Sequence, residues 1–164
     1  MDQRMSKDKY YLNIADAVLD RSTCLRRKYG AIIVKNDEIL STGYNGAPRG
    51  RRNCVDMGYC TRERLQVPRG ERYELCRSVH AEANAIISAA RRDMIGGTLY
   101  LVGRDAASGE LLHDTTSCAM CRRMIINSGI TRVVNRIGDD GIEIIDVQNW
   151  IVNDESIQPK AEAE

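Results

Sequence analysis

Histidine occurs only twice in the 164 residues, phenylalanine is absent, and aromatic residues make up just 5%. So few rings argue against a platform that stacks successive bases of a nucleic acid strand. Neither sign of charge is in excess. The 24 Lys and Arg against 23 Asp and Glu leave +1, so no global field recruits nucleic acid or a membrane surface, and any anion site must be local. No apolar run approaches the roughly eighteen residues of a membrane span. The opening MDQRMSKDKYYLNIADAV also lacks the apolar core of a signal peptide. The expectation is a cytoplasmic protein without nucleic acid or membrane partners.

With 43% hydrophobic and 29% charged residues, the chain suits one globular domain over residues 1–164. The apolar spacing of Tyr11, Ile14, Ala15 and Val18 predicts a helix over 6–20. Two short apolar runs, 31–34 and 39–42, flank a polar link containing Asn36 and Asp37 and predict a hairpin. From about 45 to 77 there is no clear period, and this stretch reads as an inserted Cys- and Arg-rich lid. A helix is expected over 78–92, capped by Ser78, with Ala83, Ile86, Ile87 and Ala90 on its apolar face. A strand at 98–102, a helix at 118–128 closed by Gly129, and strands at 130–134 and 142–147 complete the pattern. That order predicts an α/β domain whose later strands run parallel through right-handed crossover helices. The segment 103–117 is long enough for an extra hairpin or flap, and 158–164 reads as a disordered tail.

Two short motifs carry the chemistry. His80-Ala81-Glu82 and Ser117-Cys118-Ala119-Met120-Cys121 each fall at a predicted helix start. One imidazole and two thiolates are three ligands, and three protein ligands leave the fourth tetrahedral position of zinc open, the composition of a catalytic site. Side chains at i and i+2 in mid-helix point about 200° apart, so His80 and Glu82 can share a site only at the helix N-terminus. Cys118 and Cys121, three apart, share one face of a first turn, where the helix dipole favours thiolate. Glu82, left over as a non-ligand carboxylate, suits proton transfer from a water activated by the metal. His113 is expected to be a surface residue without a role.

The paired motifs resemble those of the zinc-dependent cytidine and deoxycytidylate deaminases. The segments 28–34, 41–48 (Ser-Thr-Gly-Tyr-Asn-Gly-Ala-Pro) and Asn53-Cys54 are most similar to the deoxycytidylate (dCMP) branch. The resemblance implies a three-layer α-β-α, cytidine-deaminase-like fold with a mixed five-stranded sheet. It implies hydrolysis of dCMP to dUMP, with Asn45 on the sugar and Ala81 and Ser117 at the pyrimidine edge. A homo-oligomer is implied, a hexamer or a dimer. The loop holding Gly43, Tyr44, Gly46 and Arg49 would lie near a site for a dCTP or dTTP effector, with Mg accompanying the nucleotide. Members commonly carry Pro where this chain has Ser117, and an aromatic residue after the fourth strand where it reads Val133-Val134-Asn135-Arg136. Arg136 or an arginine of the lid is therefore expected to anchor the 5′-phosphate.

Cys24, Cys54, Cys60 and Cys76 remain. In a reducing compartment they are poor disulfide candidates, and they are either buried thiols or the ligands of a second, structural zinc that would staple the lid. Residues 49–77 carry eight arginines against four acidic residues, which favours a phosphorylated substrate or effector. Two alternatives stay open: a deaminase of another cytosine nucleotide, nucleoside or base, and a zinc-stabilised binding module on the same fold.

Overall fold

The computed structural model describes residues 4–157; the tail expected to be disordered lies outside them. Ser6 caps helix α1 (Lys7–Val18) by accepting from the Lys9 amide, a first-turn donor with no partner inside the helix. Tyr11, Leu12 and Ala15 are buried on its inner face. After a 3-10 turn (Leu19–Arg21), strands β1 (Arg27–Lys35) and β2 (Glu38–Tyr44) form the expected hairpin. Asn36 and Asp37 take φ of 52° and 61°, the pair of left-handed residues that matches the twist of flanking strands.

The sheet runs β2-β1-β3-β4-β5, with β3 (Thr98–Asp105), β4 (Arg132–Ile137) and β5 (Gly141–Asp146). Only β3 and β4 are parallel, joined by the crossover helix α6 (Ala119–Ser128). The expectation that all later strands run parallel fails at β5, which pairs antiparallel with β4. Three residues starting at Gly138 (φ 64°) separate these strands, far too few for a crossover.

The helix expected over 78–92 is shorter and broken. Val79 is tied to Gly46 by reciprocal backbone bonds of 2.7 and 3.1 Å, which hold the chain extended. His80, not Ser78, takes the N-cap position of α4 (Ala81–Ile87). Ala90 is extended again before the single turn α5 (Arg91–Met94), and this bend lets Met94 reach the core. Ile87 is consequently 72% exposed, and Ala90 is exposed too. Ala81, Glu82, Ala83 and Ala85 take the buried positions.

Two hydrophobic clusters cover the two sheet faces. One joins α1 to Ile32, Val34, Tyr100, Val102 and Val134. The other packs α4, α6 and the terminal helix α7 (Val147–Val152) on Ala31, Ile33, Leu99, Leu101 and Val133. Three layers result. Residues 45–77 fold into two single turns, α2 (Cys54–Met57) and α3 (Thr61–Arg64), and a 3-10 turn (Tyr73–Leu75). Residues 103–117 form a small hairpin closed by an Arg104–Leu111 bridge. Among the described residues, no helix is long and apolar enough to cross a membrane.

Candidate active site

The two motifs meet because α4 and α6 start side by side on one sheet face. His80 and Cys118 occupy the N-cap positions of α4 and α6, and Cys121 lies in the first turn of α6. His80 Nδ1 stands 3.5 Å from Cys118 Sγ and 3.4 Å from Cys121 Sγ. Tetrahedral zinc with N and S ligands at about 2.1 and 2.3 Å would separate N from S by about 3.6 Å, so the donor set fits that ion. Among the described residues, no other group of three His, Cys or carboxylate ligand atoms gathers within 4.8 Å.

The electrostatics follow from crowding. Cys118 is pulled toward thiolate by hydrogen bonding with Cys121 and His80, against the cost of burial. Cys121 is pushed up by the Cys118 sulfur, by burial and by Glu82. His80 is raised, chiefly by its contact with Cys118. Glu82 is 5% exposed, and burial pushes its carboxyl up, opposed by hydrogen bonding from Cys121 and by His80. A buried carboxyl that can be either protonated or ionised is what proton transfer requires.

His80, Glu82 and Cys118 line a cavity of about 470 Å³, in the size range of small-ligand sites, while Cys121 is fully buried and outside that lining. Asn45 and Ala81 line the cavity. Asn45 also ties its own surroundings together: Oδ1 accepts from Ser22 Oγ at 2.6 Å and the Tyr29 amide at 2.8 Å, and Nδ2 donates to the Arg27 carbonyl at 2.9 Å. Ser117 is buried with an unpartnered hydroxyl and faces a neighbouring cavity.

Arg136 is not at the site. Alternation along β4 puts it on the α1 face, where its guanidinium donates to the carbonyls of Gly138 and Asp139 at 3.2 and 2.6 Å and to Asn13 at 3.4 Å. Gly43, Tyr44, Gly46 and Arg49 also lie outside the cavity lining. Gly43 instead lets β2 approach α4, since a Cβ there would come within 2.3 Å of the Ala81 carbonyl oxygen.

The rim combines a lid arginine of the kind expected with residues that carried no sequence signal. Arg26, Arg27 and Arg69 line the cavity. Arg26 pairs with Glu63 at 2.9 Å, and Asp114 of the 103–117 hairpin holds Arg27 at 3.4 Å and Arg69 at 2.9 Å. Asp114 thus joins strand, lid and hairpin. The local arginine excess pointed at Arg69, but nothing marked the approach to β1 as part of the site.

Residues 5–136 match the cytidine and deoxycytidylate deaminase zinc-binding region. The chain belongs to that family. The deoxycytidylate deaminase of Mycobacterium phage D29 is 41% identical over 133 residues, which cover 77% of this chain and 91% of the relative. That of Schizosaccharomyces pombe is 35% identical over 131 residues, or 80% of this chain but only 37% of the relative. The structure of dCMP deaminase from the cyanophage S-TIM5 in complex with dCMP and dUMP has a TM-score of 0.56 at 26% identity, covering 82% of this chain and 85% of that one. Its apo form gives 0.57 at 28%, covering 83% and 88%.

Proposed function

We propose that this protein hydrolyses dCMP to dUMP and ammonia. The observation that carries the reading is one cavity lined by the buried Glu82, by His80 and Cys118 of the His-Cys-Cys ligand set, and by three arginines. The relatives named above are deoxycytidylate deaminases, which agrees with a substrate bearing both a cytosine and a phosphate.

His80, Cys118 and Cys121 would hold zinc, which when bound supplies Lewis acidity toward the attacking water. Glu82 accepts a proton from that water and delivers it to ring N3, then passes the second proton to the amino group leaving C4. Arg27 and Arg69 orient the nucleotide by binding its 5′-phosphate, for which planar guanidinium forks are suited. A binding module would have no use for a buried acid beside an open ligand position, so Glu82 separates the enzyme from that alternative. Ammonia release from cytosine, cytidine, deoxycytidine, dCMP, dCTP and adenosine tests the reading. Turnover confined to dCMP supports it, and turnover of nucleoside or base at the same rate overturns it. Adding dCTP or dTTP with Mg to the same assay tests effector control through the 43–49 loop.

A second zinc at Cys24, Cys54, Cys60 and Cys76 is a separate proposal: no three of these sulfurs lie within 4.8 Å of one another, so the ion would have to draw the lid together to bind. Burial raises the Cys54 thiol, and Cys24, Cys76 and Cys60 raise it further by their proximity. The sulfurs of Cys24 and Cys76 each accept a backbone amide two residues on, at 3.4 Å. Such bonds support thiolate ligands.

A further inference from the structure

A flat pyrimidine needs more than in-plane hydrogen bonds, because those leave its tilt undetermined; an aromatic side chain against its face fixes the plane. Two tyrosines line the cavity, Tyr29 and Tyr73. Tyr29 is committed elsewhere. Its hydroxyl meets Arg27 Nη1 at 3.4 Å and its ring packs against the core beneath α4. Tyr73 comes from the lid. Its ring meets the His80 imidazole edge to face, with centroids 5.5 Å apart and planes at 87°, and it borders both the main cavity and the neighbouring one beside Ser117 and Cys118.

The lid is built to hold that ring in place. Arg62 is 6% exposed, unusual for an arginine with no carboxylate partner. Its Nη2 donates to the carbonyls of Pro68 and Glu71 at 3.1 and 2.6 Å, clasping the loop that precedes Tyr73, and its guanidinium lies 4.8 Å from the Tyr73 ring centroid. Arg72, immediately before Tyr73, adopts a left-handed φ of 49°, a conformation disfavoured for a non-glycine residue. The clasp and the strained turn both act to deliver one aromatic ring to the metal-side wall of the cavity.

We infer that Tyr73 is the wall on which the cytosine ring of the substrate stacks, and that Arg62 is the positioning residue that holds it there. The inference rests on the dCMP reading and adds a specificity residue to it. The test compares affinities of zinc-loaded protein for dUMP and for 2-deoxyribose 5-phosphate, which lacks the base. Tyr73→Leu should weaken dUMP at least about fivefold, the low end of base–aromatic stacking, while leaving the sugar phosphate and the zinc content unchanged. Tyr73→Phe should restore dUMP affinity. Arg62→Lys keeps the charge but loses the fork, and should show the same base-selective loss at smaller size. Unaltered dUMP affinity in Tyr73→Leu overturns the inference, as does equal loss of both ligands, which would mark a structural role. Wild-type protein that binds neither ligand would overturn the nucleotide reading itself.

Discussion

Glu82 combines a carboxylate with near-complete burial beside the ligand set. Replacing it with Ala removes the proton carrier but none of the three ligands. Glu82→Ala should keep zinc while kcat falls at least about a hundredfold, checked by metal analysis alongside ammonia release. Cys118→Ala should instead lose the catalytic metal, because two ligands cannot hold it against solvent. Both motifs were legible in the sequence because zinc accepts few residue types and a helix start allows few spacings. Arg136 was misread for a matching reason: strand alternation puts neighbouring residues on opposite faces, and a position near the right place in sequence lies on the wrong side of the sheet. Tyr73 and Asp114 carried no signal, since their roles depend on where a lid and a hairpin come to rest.

Asp8 offers a residue test that is independent of catalysis. It accepts from Arg132 at 2.7 and 3.0 Å and from the Tyr100 hydroxyl at 2.7 Å, tying α1 to β3 and β4. The Arg132 guanidinium holds its carboxyl below the ordinary 3.8, against the cost of burial. A depressed value means stabilisation that is present above the ordinary pKa and lost as pH falls through the folded one. Asp8→Asn should cost about 1 kcal/mol at neutral pH, allowing for solvent screening. Urea unfolding of both proteins should show that difference shrinking below pH 3.8.

At the scale of elements, the sequence pattern located every strand and the helices at 7–18 and 119–128, because periodicity is strong where one face is buried. It failed at α4, where the bond between Val79 and Gly46 and the need to bury Met94 override local helix preference. The closeness of β2 to α4 depends on Gly43. A Cβ there would meet the Ala81 oxygen at 2.3 Å and the Ala85 nitrogen at 2.4 Å, backbone atoms that cannot swing aside. Gly43→Ala should therefore destabilise by about 1–3 kcal/mol, read as a lower urea midpoint. Since α4 carries His80 and Glu82, zinc affinity should fall with it. In the lid, Cys60→Ser should loosen residues 49–77 toward protease while the catalytic zinc stays bound. The four sulfurs of Cys24, Cys54, Cys60 and Cys76 are not gathered as they stand, so zinc content decides: two per chain in freshly purified protein would establish the second site, and one would reject it.

Across the whole molecule the charge is nearly balanced, at +1, yet the cavity rim gathers Arg26, Arg27 and Arg69. Asp114 alone pairs with two of them, and at 59% side-chain exposure it is a weak, screened partner. An incoming phosphate carries more charge than one carboxylate and suits the same guanidinium forks, so it should take over Arg27 and Arg69 from Asp114. Charge-assisted contacts of this kind are worth about 1.5–3 kcal/mol each, so deoxycytidine should fall at least roughly tenfold below dCMP in kcat/KM. Arg27→Ala and Arg69→Ala should narrow that gap by weakening dCMP and sparing deoxycytidine. Arg136→Ala should leave the gap unchanged, because its guanidinium is spent on the Gly138 and Asp139 carbonyls across the sheet. A gap that closes in Arg136→Ala but persists in both rim variants would place the phosphate elsewhere, and equal turnover of nucleoside and nucleotide by the wild type would remove the need for an anchor altogether.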